Sequence, residues 1–199
     1  MARIAYMTRE TAPSGLTGLF EDNAPAHIVG LLGHAHANVA SLSAYLVSLL
    51  SAQELDARLR ELCILYIARL CACSYEWTQH ENIARTLGVG DEEIARVRDL
   101  DEPEAAFDAP VADALTLCRQ MIRTQTAQAE TITRLDHTLG TRQLMELLLA
   151  ANAYIGLATI MNACAIDPEA GMSQETALRL AGGTLGASVW GGGGVRNED

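Results

Sequence analysis

Two long and mostly apolar segments most constrain the fold of this 199-residue chain. One, RELCILYIARLCACSYEWTQH, covers residues 60–80, and the other, RQLMELLLAANAYIGLATIMNACAI, covers residues 142–166. Their apolar residues recur at helical spacing, and the chain has no convincing run of alternating β-branched residues. A helix that is apolar on nearly all sides is surrounded by protein rather than solvent. We therefore predict an all-α helical bundle with both segments in its core.

Helix start and stop signals divide the chain further. Ser51 and Glu54 have the spacing of a capping box, which predicts the start of a helix. Ser74 resembles the N-cap of the next helix, and Gly88 resembles the residue that ends it. Further helices are predicted at about 26–50 (with a break near Gly33), 91–99, 111–126, 129–138, 141–164 and 173–181, after an extended arm over 1–24. The sequence thus predicts about seven to nine helices.

The chain length suits a single domain, which we place at residues 1–181. The tail, GGTLGASVWGGGGVRNED at 182–199, is too rich in glycine to order itself, so we expect it to be flexible unless a partner chain holds it.

Charge and composition exclude several classes of function. The net charge of −11 disfavours nucleic acids and anionic membrane surfaces as partners. All 14 basic residues are arginines, which excludes a lysine Schiff base and a P-loop lysine. No stretch reaches the roughly 20 uninterrupted apolar residues of a membrane span, and no signal-peptide run stands at the N-terminus. We expect a cytoplasmic protein that acts on a small molecule.

Chemically reactive residues are concentrated in the first apolar segment. Cys73, Glu76, Trp77 and His80 follow helical spacings of three and four and share one face, directed at the core. Glu76 and His80 are i,i+4 neighbours, so the carboxylate can orient the imidazole and fix its tautomer. Tyr75, beside them, can donate a hydrogen bond.

The thiol of Cys73 is subject to opposing influences. Unpaired N–H groups at a helix start favour a thiolate, whereas the nearby Glu76 opposes it, so its ionisation is open at this stage. The five cysteines are odd in number and irregularly spaced, which disfavours a disulfide framework or a structural zinc site. With no second ligand-rich segment we expect no metal, and no cofactor is expected either.

A structural interpretation competes with the catalytic one. A histidine on an apolar face is commonly a hydrogen-bonded core residue. Glu61, earlier in the same segment, could simply pair with Arg60 or Arg69. Four such groups within twenty residues nevertheless favour a reactive pocket over a purely structural cluster.

The segment RELCILYIARLCACSYEWTQHENIARTLGVGDEEI resembles the carboxymuconolactone decarboxylase family, which includes the alkylhydroperoxidase D-like proteins. The similarity is strong across residues 58–97 and weaker over most of the chain. The resemblance implies an all-α fold that assembles as a dimer, trimer or trimer of dimers.

The peroxidase branch of the family has a pattern that this chain follows only in part. A glutamate precedes the first cysteine of a CxxC by twelve residues, and a histidine follows the second cysteine by four. Glu61, Cys73 and His80 match that pattern, but Glu76 replaces the second cysteine. A dithiol cycle needs a resolving thiol, and Cys71 is not an obvious substitute. The sequence resembles more closely the decarboxylase branch, which acts without a cofactor on lactones or enolisable acids.

Three functions follow as hypotheses. The first is a cofactor-independent decarboxylase, lyase or isomerase, in which His80 transfers a proton and Glu61 and Glu76 set its charge state. The second is a one-cysteine peroxidase that uses Cys73. The third is a non-catalytic helical oligomer. For a carboxylate substrate, Arg69 is the predicted binding residue, and Trp77 is predicted to line the site.

Overall fold

The computed structural model describes residues 1–20 and 27–169, and this part of the chain is all-helical. It contains eight α-helices, two 3-10 helices and no strand, which confirms the predicted fold class. In chain order the α-helices are α1 (His27–Leu32), α2 (Val39–Ser51), α3 (Ala57–Leu70), α4 (Ser74–Thr86), α5 (Asp91–Asp99), α6 (Val111–Thr124), α7 (Ala129–Leu139) and α8 (Thr141–Cys164).

The 3-10 helices are Ser14–Phe20, inside the arm that was predicted to be extended, and Pro103–Ala106, inside a polar connection. The predicted helix at 173–181 and the predicted tail at 182–199 lie outside the described residues.

Helix α3 is the central element of the bundle. Its residues from Leu59 to Ala68 are all buried, including the charged Arg60 and Glu61. It packs against α4, α5, α6 and α8, so no side of it faces solvent along this stretch. The prediction that the first apolar segment forms a core helix is confirmed.

Helix α8 is buried along one side, where it packs against α3 and α7. By length and composition it is the one helix in the described ranges that could cross a membrane. A core helix of this length passes the same test, and the buried side of α8 accounts for part of its apolar composition, although Met145, Leu149 and Ile160 are exposed instead of lying in the core as predicted.

The start of α3 differs from the prediction. Asp56 is the N-cap, and its side chain accepts a hydrogen bond of 2.8 Å from the amide of Leu59. The predicted capping box of Ser51 and Glu54 is wrong: Ser51 is the last residue of α2, and Glu54 forms an ion pair with Arg142 of α8 at 2.5 Å. Asp56 provides the same capping chemistry nearer to the periodic segment.

A tight turn joins α3 to α4. Ala72 adopts a left-handed conformation with a φ of 52°, and the amide of Cys73 donates back to the carbonyl of Ala68 at 2.8 Å. This is a Schellman motif. Cys73 closes it after the end of α3 and is also the N-cap of α4. The predicted N-cap, Ser74, is instead the first helical residue. The turn brings α4 directly back along α3.

The end of α4 confirms the prediction for Gly88. Its φ is +86°, and its amide donates to Arg85 while the amide of Val89 donates to Ala84, which is a second Schellman motif.

Candidate functional site

A cavity of about 120 Å³ lies among α1, α2, α4 and α8. Its walls are mostly aliphatic and aromatic side chains. The lining residues are Ile28, Leu32, Leu46, Val47, Leu50, Tyr75, Glu76, Gln79, His80, Ile83, Tyr154, Leu157 and Met161. Its polar groups come from α4, with the hydroxyl of Tyr154 from α8. The cavity is therefore an apolar chamber into which one helix directs most of the chemistry.

Helix α4 presents Glu76 and His80 to this cavity together, because they are one turn apart. Both are buried, with 2% of Glu76 and 7% of His80 exposed. The sequence predicted that these two residues share a core-facing face, and the structure places them there. Their partners, however, differ from the predicted ones.

The imidazole of His80 is held by Glu61 of α3. His80 Nδ1 lies 2.7 Å from Glu61 Oε2, and Glu61 is wholly buried. The sequence predicted that Glu76 would orient this ring. That prediction is wrong, because a carboxylate on the neighbouring helix reaches Nδ1 and the i,i+4 residue does not.

The other oxygen of Glu61 contacts a buried arginine. Arg60 Nε donates to Glu61 Oε1 at 3.2 Å, and only 3% of Arg60 is exposed. Of the two arginines that the sequence offered as partners, the structure selects Arg60. The guanidinium balances the carboxylate charge, so Glu61 stands between a cation and an imidazole.

Tyr154 fixes the plane of the His80 ring from the opposite helix. The two rings meet edge to face, with centroids 4.8 Å apart and an interplanar angle of 87°. Burial, together with the charges of Glu61 and Glu76, raises the pKa of the Tyr154 hydroxyl well above its ordinary value. The sequence did not predict this contact, since nothing in it links α8 to α4.

Glu76 is a carboxyl group with no partner in the described part of the chain. Both of its oxygens are buried and accept no hydrogen bond there. Burial raises the pKa of Glu76 well above 4.5, and the negative charge of Glu61 raises it further. A neutral Glu76 is an acid and a hydrogen-bond donor inside an apolar cavity.

Tyr75 closes one side of the cavity. Its hydroxyl donates to Glu169 and accepts a 3.3 Å hydrogen bond from the amide of Ile28 on α1. Burial and the contact with Glu169 raise the pKa of this phenol. The single hydroxyl proton is directed at Glu169, so Tyr75 holds the α1 wall in place.

Cys73, Trp77 and Arg69 are not brought to the cavity of His80. They line a separate, open depression of about 330 Å³. Arg69 donates to the backbone carbonyls of Val97 and Leu100, and these bonds tie it to the end of α5. The predictions that Trp77 and Arg69 bind substrate beside His80 therefore disagree with the structure. Trp77 turns away because it is offset from the line of Glu76 and His80 around the helix.

The thiol of Cys73 is not activated. Only 1% of the residue is exposed, and burial raises the pKa of its thiol to about 11, although the Glu76 amide at the helix start acts in the opposite direction. At neutral pH about one molecule in ten thousand would carry the thiolate. The helix start, which the sequence suggested as a source of activation, is outweighed by desolvation.

The comparisons with known proteins identify one family. Residues 36–120 match the Carboxymuconolactone decarboxylase family. The matched segment covers 85 of the 199 residues. It runs from just before α2 into α6 and includes Glu61, Glu76 and His80, whereas α1 and α8 of the cavity wall lie outside it. The searches of curated proteins and of solved structures returned no match.

The match to the carboxymuconolactone decarboxylase family supports a function within the decarboxylase and alkylhydroperoxidase D-like superfamily. It confirms the family that the segment around residues 58–97 resembles. The particular reaction has to be argued from the residues of the cavity.

The unpaired Glu76 generates a prediction about stability. Its folded-state pKa is raised above 4.5, so the folded protein holds a proton that the unfolded chain releases as the pH rises. Glu76 therefore contributes a loss of stability as the pH rises above about 4.5, and Glu76→Gln removes this contribution. The unfolding free energy of Glu76→Gln should rise relative to that of the wild type by up to about 1.4 kcal/mol per pH unit. This rise should stop once the pH passes the folded-state pKa of Glu76.

Urea unfolding from about pH 5 to about pH 8 measures this difference. Glu92→Gln, at a carboxylate whose side chain is 91% exposed, is the matched control, and its unfolding free energy should change with pH as that of the wild type does. If the unfolding free energy of Glu76→Gln also followed that of the wild type across this pH range, Glu76 would be an ordinary ionised carboxylate.

Proposed function

We propose that this protein is a cofactor-independent acid–base enzyme that acts on a small lactone or another enolisable carbonyl compound. The observation that carries the proposal is the 2.7 Å contact between His80 and the buried Glu61, beside the unpaired Glu76 in one apolar cavity. A positioned base next to a neutral acid is the pair that enolisation requires.

His80 is the proposed base. When the Glu61 carboxylate accepts the proton of Nδ1, the imidazole is held as the tautomer whose Nε2 carries a lone pair. Nε2 takes the proton from the carbon next to the substrate carbonyl, and the C–H electron pair moves into the enolate. The resulting imidazolium is stabilised by Glu61, whose own charge is balanced by Arg60.

Glu76 is the proposed acid. As a neutral carboxyl group it donates a hydrogen bond to the carbonyl oxygen, on which negative charge develops during enolisation. The surrounding aliphatic side chains lower the local dielectric and strengthen that interaction. Returning the proton to a different carbon isomerises the substrate, and loss of carbon dioxide from a suitable acid gives the same enolate. The arrangement therefore serves a lyase or an isomerase equally.

The one-cysteine peroxidase has less support. It needs a thiolate at Cys73, and the thiol is buried with a pKa of about 11. It also needs Cys73 and His80 at one site, whereas they line different cavities. A non-catalytic oligomer gives no reason for the unpaired Glu76, because removing that group would relieve a desolvation penalty.

The activity prediction uses exchange of substrate α-protons with D₂O, followed by NMR on a panel of small ketones and lactones. His80→Gln should slow enzyme-dependent exchange by about 10² to 10⁴-fold, which is the usual contribution of a general base. Glu61→Gln should also slow it strongly, because Gln cannot fix the tautomer or stabilise the imidazolium.

Cys73→Ser is the matched control and should leave exchange within roughly twofold of the wild type. Full exchange in His80→Gln, or its loss in Cys73→Ser with the fold intact, would contradict the proposal. The second result would direct attention to the thiol.

We also propose that the protein acts in the cytoplasm as a homo-oligomer. Support for assembly comes from α8, whose outer face exposes three large apolar side chains. They are Met145, Leu149 and Ile160, which are between 41% and 50% exposed. Gly156 lies among them with open space above it, which permits close approach of another helix.

Multi-angle light scattering tests the assembly. The wild type should scatter as a multiple of the chain mass, and Leu149→Glu should shift it toward the monomer because a charge would be buried in the interface. Thr133→Glu, which adds the same charge at an exposed position of α7, should leave the mass unchanged. A monomeric wild type would contradict the assembly.

A further inference from the structure

The charge of the cavity lining restricts what can bind there. Among the described residues that line it, none is a lysine or an arginine. The polar groups are the side chains of Glu76, Gln79 and His80 and the phenols of two tyrosines. The lining therefore offers donors and acceptors but no fixed cation for an anionic ligand.

The two arginines that the sequence offered as partners of Glu61 do not line the cavity. Arg60 is 3% exposed and contacts Glu61 on the oxygen that does not face His80. Arg69 donates to the carbonyl oxygens at the end of α5 and lines the separate depression with Cys73. The predicted clamp for a substrate carboxylate is thus absent from the described wall of this cavity.

An anionic ligand would also meet negative charge. Glu61 lies directly behind His80 and faces it across 2.7 Å. An ionised carboxylate moved into an apolar cavity without a counter-ion loses its hydration and gains no compensating ion pair. Neither carboxyl group of the site supplies a counter-ion for a ligand carboxylate, and the guanidinium of Arg60 already pairs with Glu61.

The cavity suits a neutral molecule of limited size. Its volume of about 120 Å³ is somewhat below the ~150 Å³ of an engineered apolar cavity that binds benzene. Glu76 has two buried oxygens without a described partner, so a ligand oxygen would satisfy a group that the folded chain leaves unsatisfied. Such a ligand needs one acceptor and an otherwise apolar surface.

We infer that the cavity selects an uncharged, compact molecule with a single carbonyl oxygen, which accepts a hydrogen bond from Glu76, and that it rejects the matching carboxylate. This inference rests on the site of the proposed function and narrows its substrate class to uncharged carbonyl compounds, which favours isomerisation over decarboxylation of an ionised acid. It concerns binding, so it does not require turnover.

Three probes of similar shape test the inference by ligand-observed NMR titration: cyclohexanone, methylenecyclohexane and cyclohexanecarboxylate. At neutral pH cyclohexanone should bind the wild type at least about tenfold more tightly than the carboxylate does. It should also bind more tightly than methylenecyclohexane, which has the same ring but no oxygen. Equal or tighter binding of the carboxylate would overturn the inference, as would failure of cyclohexanone to bind.

Three variants examine the cause of the preference for cyclohexanone. Glu76→Leu should remove the preference for cyclohexanone over methylenecyclohexane, and Glu76→Gln, which still donates a hydrogen bond, should retain part of it. Leu46→Arg adds a cation to the wall and should raise carboxylate affinity at least about tenfold. A thermal unfolding scan of each variant verifies that it is folded. An unchanged preference in folded Glu76→Leu would also overturn the inference.

The binding and exchange experiments test separate claims, so either claim can be contradicted while the other holds. If cyclohexanone binds in a Glu76-dependent way but no compound in the panel exchanges an α-proton with D₂O, the selectivity stands and the proposed reaction is wrong. If α-protons exchange through His80 while the carboxylate binds as tightly as the ketone, the reaction stands and the selectivity falls.

Discussion

The site depends on one buried carboxylate, Glu61, which is held between Arg60 and His80. Each of its oxygens contacts one of these partners, at 3.2 Å and 2.7 Å. Burying such charges is expensive unless every partner is in position, so the helices that carry them must be fixed accurately. The full burial of α3 and the tight turn at Ala72 provide that accuracy, because they set α4 against α3.

The same pocket gives its two glutamates opposite properties. Glu61 has a cation and an imidazole as partners, whereas Glu76 has none among the described residues. Burial and the charge of Glu61 both raise the pKa of Glu76, so one carboxyl group is arranged to support a base and the other to remain an acid. The division of roles comes from the environment, since the two side chains are chemically identical.

The helical framework could be predicted where the apolar period is long. The predicted bounds of α8, 141–164, agree with Thr141–Cys164, and Gly88 ends α4 as its conformational freedom suggests. Local signals failed where a competing group was better placed. Asp56 replaced Ser51 as the cap of α3, because it directly precedes the helix.

The candidate site was predictable in its residues but not in its contacts. The sequence selected Glu61, Glu76 and His80, because reactive groups in an apolar segment are unusual. It paired Glu76 with His80, since helix neighbours are all that one segment reveals, while the actual partner comes from another helix. The α1, α2 and α8 walls of the cavity depend on tertiary packing, which spacing along one helix does not encode.

Nitrogen NMR of the protein labelled at its histidine ring nitrogens reports which nitrogen of His80 carries the proton, with His80→Gln to assign the signals. When the His80 ring is neutral, we expect its proton on Nδ1 and not on Nε2, and we expect Glu61→Gln to abolish this preference. A proton on Nε2 in the wild type, or the same tautomer in both proteins, would contradict the role of Glu61 as the group that makes His80 a base.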